Sequence, residues 1–316
     1  MGNARNASRD AYLKRLSQAQ LPDTYHVAPP TPGDIDASTP LLLQSASPFH
    51  FSVGPGYQQT LGGPNGFILY QLSANAFSTY DFGDNTWVAG DINYGLLNNY
   101  SKFTYTAPSK LPRVRTDIRQ YVTSSRLTMP LLQLTHVGQL SDDTYYSLYG
   151  GALESMFAGV GGEVLYRPWG SSVALGGNIN YVRQRGFTQQ FTLLPYHVVT
   201  GHATLYWKTG IDDVLAKISA GQYLAGDKGV TVDLSRTFAN GVRIGAYATK
   251  TNISAATFGE GSFDKGIYLD IPFDLMLTRS SDQVAHLLWE PLLRDGGAML
   301  DRRYRLYSMT SDSALR

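Results

Sequence analysis

Apolar and polar residues alternate one by one through much of this chain, and that period of two constrains its fold more than any other feature. Val230, Val232 and Leu234 alternate with Thr231, Asp233 and Ser235. Val242, Ile244, Ala246 and Ala248 alternate with Arg243, Gly245, Tyr247 and Thr249. The pattern recurs over residues 214–221 and, less strictly, 173–180. Successive side chains of a strand point to opposite faces, so each segment presents one apolar face and one polar or small face. Turn signals such as Ala239-Asn240-Gly241 and Gly226-Asp227-Lys228-Gly229 join consecutive segments, which predicts an up-and-down meander.

A soluble sandwich shows the same alternation with its apolar face inward. Three features favour an all-β, antiparallel up-and-down transmembrane β-barrel instead. The strands are about ten residues long, which suits a tilted membrane crossing. Aromatics gather near strand ends, at Tyr166, Trp169, Tyr181, Tyr206, Trp207, Tyr223, Tyr268 and Phe273, as in interfacial girdles. Charged residues are 16% of the 316 residues, against ~25% in soluble domains. No apolar run approaches the roughly 18 residues of a spanning helix. Candidate strands between Phe49 and Tyr307 number about 14, within roughly 12 to 16, and single-chain bacterial barrels favour an even count. Residues 116–139 lose phase around Met129-Pro130 and read as one bent strand or a hairpin.

Two regions are expected: residues 1–47, and a barrel over 48–316. The first twenty residues read as a short amphipathic helix. Pro22, Pro29, Pro30, Pro32 and Pro40 then mark an extended arm, since proline removes ladder donors. No apolar stretch follows the opening Met-Gly-Asn-Ala-Arg-Asn, so an export signal is expected upstream, with this chain either a fragment of a longer protein or given a misplaced start.

The chain has no cysteine, which excludes disulfides, thiolate zinc sites and an acylated cysteine within it. A formal net charge of +1 gives no reason to expect nucleic acid. His26, His50, His136, His197, His202 and His286 are scattered without metal-ligand spacing, and no metal or cofactor is expected. His197 and His202, five apart, fall on opposite faces of a strand. The segment Phe258–Gly266 carries Glu260, Asp264 and Lys265 but lacks the order of a phosphate loop, so its glycines read as turn formers. Arg113, Arg115 and Asp117 lie together in a loop-like stretch, readable as a rim salt-bridge network or as a cationic site for an acidic sugar. Asp227, Lys228, Glu260 and Asp264 are further rim candidates. Strand parity makes Asp91, Asn93, Glu163, Asn178, Asn180, Lys217, Asp233 and Arg243 candidates for the lumen wall.

Several segments together resemble the YjbH-like (GfcD-like) exopolysaccharide and capsule biosynthesis proteins of the bacterial outer membrane. They are LPRVRTDI at 111–118, MFAGVGGEVLYRPWG at 156–170, YVRQR at 181–185, VVTGH at 198–202, YLAGDKGVTVDLSRTF at 223–238, FGEGSFDKG at 258–266, IPFD at 271–274 and RDGG at 294–297. The resemblance spans roughly residues 48–310 and implies the C-terminal part of a longer outer-membrane protein of a Gram-negative cell. It brings no catalytic residues. The expected function is assistance in exopolysaccharide or capsule export or surface assembly, without enzymatic activity. A barrel hydrolase acting on glycan or lipid and a plugged scaffold of a secretion complex remain the alternatives. Expected partners are outer-membrane lipid, the exopolysaccharide, and periplasmic or lipoprotein components of the same system.

Overall fold

The computed structural model describes residues 47–61, 66–104, 109–258, 263–272, 275, 284–290 and 294–310. The expected N-terminal helix and proline-rich arm, save Ser47, lie outside the described residues. The wall is built from β1 (Phe49–Leu61), β2 (Ile68–Gly83), β3 (Thr86–Asn98), β4 (Leu127–Ser141), β5 (Thr144–Ala152), β6 (Phe157–Tyr166) and β7 (Val173–Arg185). It continues through β8 (Leu193–Lys208), β9 (Val214–Gln222), β10 (Lys228–Thr237), β11 (Arg243–Thr251), β12 (Asp264–Pro272) and β13 (Val284–Trp289). Each strand pairs antiparallel with the next in one 13-stranded sheet in sequence order, so the expected up-and-down topology is the one observed. The sheet curls until β1 and β13 approach within 8 Å, Cα to Cα. With an odd count these two strands run in the same direction, and among the described residues no ladder joins them.

The 13 strands among the described residues fall within the expected range of roughly 12 to 16, and two local departures from the expected pattern have physical reasons. Residues 116–139 are neither a hairpin nor one bent strand. They hold α1 (Ile118–Thr123) and then most of β4. The phase slip at Met129-Pro130 is a bulge, because Asp91 pairs with Leu131 while Asn93 pairs with Thr128. Proline has no N–H for the ladder, and a bulge is where a sheet tolerates it. The wall also ends at Trp289, well before Tyr307.

Register fixes which face each side chain takes. Leu234 pairs with Ala246 and with Ala216, and Val232 with Ala248 and Ile218. Val230, Val232, Leu234, Ile244, Ala246 and Ala248 are exposed on the outer face, whereas Thr231, Ser235 and Thr249 are buried on the inner face. The same holds around the wall: Phe51, Val53, Leu148, Val160 and Ile179 are exposed outward, while Gln71, Ser73, Gln133, Ser147 and Thr200 are buried inward. The aromatic expectation holds for Tyr166, Trp169, Tyr181 and Trp207, which are exposed. It fails for Tyr206, Tyr223 and Tyr268, which are buried; Phe273 lies outside the described residues.

Most connections at one end are short, as at Asp84-Asn85, where positive φ values of 49° and 55° form a tight hairpin turn, although eleven residues, 273–283, separate β12 from β13 there. At the other end they are longer, above all residues 99–126 between β3 and β4. We call these the turn end and the loop end. At the loop end, Tyr100, Phe103, Val114, Ile118, Tyr121 and Val122 from that long connection pack with Phe157, Val182, Val198 and Leu224 of the wall and loops. Ala298 and Leu300, beyond the last strand, join the same cluster.

Cysteines introduced at Leu234 and Ala246 should cross-link on mild oxidation, because directly opposed strand residues sit within disulfide reach. A pair at Leu234 and Ala248, displaced by two residues, should cross-link poorly. The reverse preference, read on non-reducing gels, would show a different register.

Candidate functional site

All eight lumen candidates from the sequence project to the inner face; four of them pair with one another, and two more pair with other residues. Lys217 Nζ lies 3.0 Å from an Asp233 carboxylate oxygen, and the Tyr268 hydroxyl also donates to Asp233 at 3.0 Å. Arg243 and His286 both pair with Asp270. The Asn180 amide donates to Asn178 Oδ1 at 3.0 Å, while Asn180 Oδ1 accepts the Tyr149 hydroxyl. Asp91 and Asn93 also face inward, and one oxygen of each has no hydrogen-bond partner among the described residues.

Glu163 leads to the central feature. Its carboxylate, 2% exposed, receives Arg302 Nη1 at 2.8 Å and the backbone N–H of Leu306 at 3.2 Å. Both donors belong to residues 294–310, the stretch after the last strand. That stretch runs through the barrel from the loop end to the turn end. At the loop end, Leu224 N–H donates to Ala298 O, and Arg115 Nη2 donates to Met299 O at 2.7 Å. Midway, Arg302 also reaches the Tyr149 hydroxyl, and Arg303 lies 4.4 Å from the centroid of Phe77 across the lumen. Tyr304 meets Trp87 edge-on at 5.2 Å. Near the turn end the segment closes with its own helical turn. In chain order, α2 is Ala255–Phe258, between β11 and β12, and α3 is Leu306–Met309, inside the lumen. Tyr307 of α3 stacks on Tyr206 with centroids 3.9 Å apart, and Arg167 covers its other side at 4.9 Å. Thr310 accepts from Arg167 at 3.1 Å. Contacts to β2, β3, β5, β6 and β8 place the segment within the barrel, where it supplies partners to a polar inner wall.

The mouth at the loop end explains several sequence motifs. Asp295 of the RDGG stretch is 2% exposed and accepts the backbone N–H groups of Val114, Arg115 and Thr116 at 2.9, 2.8 and 3.1 Å. It takes the Thr116 hydroxyl as well, at 2.8 Å. Gly297 N–H donates to Asp227 Oδ2 at 2.8 Å. Gly297 has φ +80°, and an added Cβ would meet Thr249 Cγ2 at 2.7 Å, so glycine is required there on both counts. The segments at 111–118, 223–229 and 294–297 are therefore one interlocked structure. The rim candidates divide accordingly. Arg113 and Asp117 form an ion pair at 3.5 Å, with Arg113 half exposed. Arg115 is not a free cation; it makes a two-pronged bond to Glu154, at 2.6 and 3.0 Å. Burial pushes the Glu154 carboxyl up, against the pull of Arg115. Asp227 is buried and likewise raised by burial. Lys228 is exposed on the outer face, Asp264 is buried on the inner face, and Glu260 lies outside the described residues.

Sequence reasoning missed Glu154, Arg185, Asp295 and Arg302. Arg185 is 1% exposed and donates to the carbonyls of Glu154, Met129 and Gln189 at 2.9, 2.9 and 2.6 Å. One signal was available: after the last apolar strand, residues 294–305 hold four arginines, Arg294, Arg302, Arg303 and Arg305, and two aspartates, Asp295 and Asp301, in no period-two order. A stretch so charged that lacks strand alternation belongs neither to the wall nor to an ordinary turn.

Fold and interior together define an up-and-down β-barrel filled by its own C-terminal segment. The chain belongs to the YjbH family of exopolysaccharide biosynthesis proteins, whose family model matches residues 4–312. It is 43% identical over 276 residues to an uncharacterized lipoprotein, YjbH of Escherichia coli strain K12, covering 85% of this chain and 39% of that protein. The chain thus spans about two fifths of the length of that relative. Among solved structures, a loop deletion mutant of OmpT, an outer membrane protein of Vibrio cholerae, aligns over 70% of this chain and 86% of its own. The TM-score is 0.32 at 12% identity, too low to define a shared fold.

Asp295→Ala should leave three backbone N–H groups and a hydroxyl unpaired and cost about 3 kcal/mol or more at the mouth. Limited proteolysis should then cut within residues 294–310 while the wall stays folded, as read by its resistance to heat in detergent. Unchanged protection of that segment would show that Asp295 does not hold it.

Proposed function

We propose that this protein is an outer-membrane β-barrel that assists exopolysaccharide export or surface assembly, capsule included, with its lumen closed at rest by its own C-terminal segment. The observation that carries the reading is the inverted distribution of polarity. Large apolar side chains such as Phe51, Val53, Val160 and Ile179 cover the outside at 59–66% exposure, while ion pairs line the inside. Water would make so continuous an apolar exterior costly, whereas a bilayer core requires it and forbids unpaired backbone. Most strands have nine or more residues, enough for a tilted crossing. By the usual asymmetry of such barrels the short turns face the periplasm and the long connections face outward. The family relation supports the exopolysaccharide side of the reading.

A closed lumen favours a scaffold or a partner-opened conduit over a constitutive pore. We also propose that the protein has no catalytic centre. Three of its inner acid–base pairs, Arg302 with Glu163, Lys217 with Asp233 and Arg243 with Asp270, are engaged with each other instead of poised toward a cleft. Outer-membrane lipid, the polymer and envelope proteins of the same export system are the partners this reading expects.

In planar bilayers the full chain should insert and stay electrically silent, and a variant lacking residues 294–316 should give stepwise conductance. Arg302→Ala retains the segment but leaves Glu163 buried and unpaired, a loss of about 3–5 kcal/mol; it should flicker open, and serves if the truncation does not insert. Labelled polysaccharide and phospholipid should survive incubation with the wild type. Steady wild-type conductance would contradict the plug, lack of insertion the membrane reading, and turnover the non-enzymatic one.

A further inference from the structure

The connection between β3 and β4 is far more basic than the rest of the chain. Residues 99–126 hold two lysines, four arginines and one aspartate, an excess of five positive charges in a chain whose formal total is +1. Arg115 is drawn inward by Glu154. The other five cations, Lys102, Lys110, Arg113, Arg119 and Arg126, are exposed. Between them Val114, Thr116, Ile118, Tyr121 and Val122 are buried. The segment therefore has an underside packed into the loop-end core and a basic upper side turned to solvent. Its path carries the cations over the mouth, away from the lipid-facing wall. Lys110 N–H donates to Thr257 O, in the connection between β11 and β12, at 3.1 Å. Gln184 of β7 donates to Arg113 O at 3.0 Å, and the Tyr121 hydroxyl donates to Arg185 O at 2.6 Å. Asp295, after the last strand, holds the stretch between. A segment that leaves β3, touches β7 and the β11–β12 connection and returns at β4 bridges the opening.

The carboxylates at this end are engaged below the basic surface. Glu154 takes Arg115, Asp227 takes Gly297 N–H, and Glu290 takes the Tyr247 hydroxyl at 2.5 Å. Asp117 answers Arg113 at 3.5 Å. Among the described residues, Lys102, Lys110, Arg119 and Arg126 make no ion pair. Arg119 donates to Phe103 O at 3.3 Å, which orients its guanidinium and leaves the charge in place. The turn end has the opposite character, with Asp84, Asp142, Asp212 and Asp213 exposed in its turns. The chemistry of the upper side also narrows its partner. Among the described residues of 99–126 no large apolar side chain is exposed, so the surface offers nothing to an acyl chain or to the apolar anchor of a protein interface. Gln120, Thr123 and Ser124 are exposed between Arg119 and Arg126 and supply donors and acceptors for sugar hydroxyls.

We infer that this basic cap over the closed mouth binds an acidic polysaccharide, with Lys102, Lys110, Arg119 and Arg126 as the groups that meet its carboxylates. The inference rests on the export reading above and adds to it the class of polymer, a polyanion such as a polyuronate, and the side on which it docks, the outward one. Cations spread along a connection, with hydroxyl and amide groups between them, match charges repeated along a hydrated chain. Each contact is weak at an exposed surface, and several repeats of one polymer engage together. Binding of this kind releases counterions and weakens steeply with salt. Basic side chains at an anionic surface typically contribute about fivefold each.

The test uses the full chain, folded in neutral detergent, with soluble alginate as the polyuronate and dextran of equal length as its neutral control, binding being read by biolayer interferometry. Alginate should bind and dextran should not, and alginate binding should weaken steeply between roughly 50 mM and roughly 200 mM salt. K102Q, K110Q, R119Q and R126Q together should weaken it on the order of 100-fold, while K102R, K110R, R119K and R126K together keep it within a few-fold. Heat-modifiability on gels reports whether each variant is folded, and the wild-type comparison of the two polymers stands if one is not. Equal binding of alginate and dextran, or a folded glutamine variant that binds alginate unchanged, overturns the cap as an acidic-polymer site. Deleting the gene tests the export reading separately. Loss of surface polymer in the deletion strain, with no alginate bound by the purified protein, overturns the cap and leaves the export reading standing; unchanged surface polymer overturns both. Displacement of alginate by bisphosphorylated lipid A, and not by its dephosphorylated form, would assign the cations to a lipid headgroup and overturn the polymer assignment.

Discussion

A barrel wall with apolar residues outside has a polar interior by necessity, and those interior groups must find partners. The side chains of each strand alternate, so placing Val232 and Leu234 outward forces Asp233 and Ser235 inward. A buried polar group without a hydrogen bond costs on the order of 1–3 kcal/mol, and a buried unpaired charge more. Large barrels meet the requirement with water. This one meets it with protein: wall residues pair with each other around the circumference, and residues 294–310 fill the axis. Glu163 depends on Arg302, Tyr206 on Tyr307 and the loop at 114–116 on Asp295. The mouth, the axis and the wall therefore form one cooperative structure, with its largest apolar cluster at the loop end.

That arrangement bears on the proposed role in export. A polymer could cross the barrel only after the Arg302–Glu163 pair, the Asp295 cluster and the Tyr206–Tyr307 stack had separated. Several such interactions exceed what thermal fluctuation supplies in a resting protein, so passage would require a partner that binds the displaced segment more tightly than the lumen does. The alternative use of a filled barrel is as a rigid anchor that presents its loop end and its outer wall to other components. Both uses fit membership of an exopolysaccharide biosynthesis family, and both leave the lumen closed when the protein is alone.

How much of this was legible in the sequence depended on the locality of the signal. Strands such as β9, β10 and β11 were legible because alternation is a nearest-neighbour property, and their register has Lys217, Asp233 and Arg243 on the inner face. Tyr206, Tyr223 and Tyr268 misled because an aromatic near a strand end looks the same whichever face it takes; only register decides, and it turns them inward to bond with Thr231, Asp233 or the plug. Residues 116–139 misled because a bulge at Pro130 and a short helix break the period without leaving a turn signature. The filled lumen was least legible. Glu163 and Arg302 are 139 positions apart, and nothing in either neighbourhood names the other. The motifs at 111–118, 223–238 and 294–297 each looked like separate rims and turns, although the three meet at the same mouth.

The claim that the C-terminal segment occupies the barrel axis is tested most directly by cross-linking in native membranes. Cysteines at positions 206 and 307, whose native rings stack at 3.9 Å, are treated with a short bifunctional thiol reagent before any extraction. If the segment lies in the lumen, the pair becomes joined, which is seen as a mobility shift after denaturation, and each single cysteine resists a bulky aqueous maleimide. If both single cysteines label freely and the pair does not join, the segment lies outside the barrel and the account of a filled lumen is wrong.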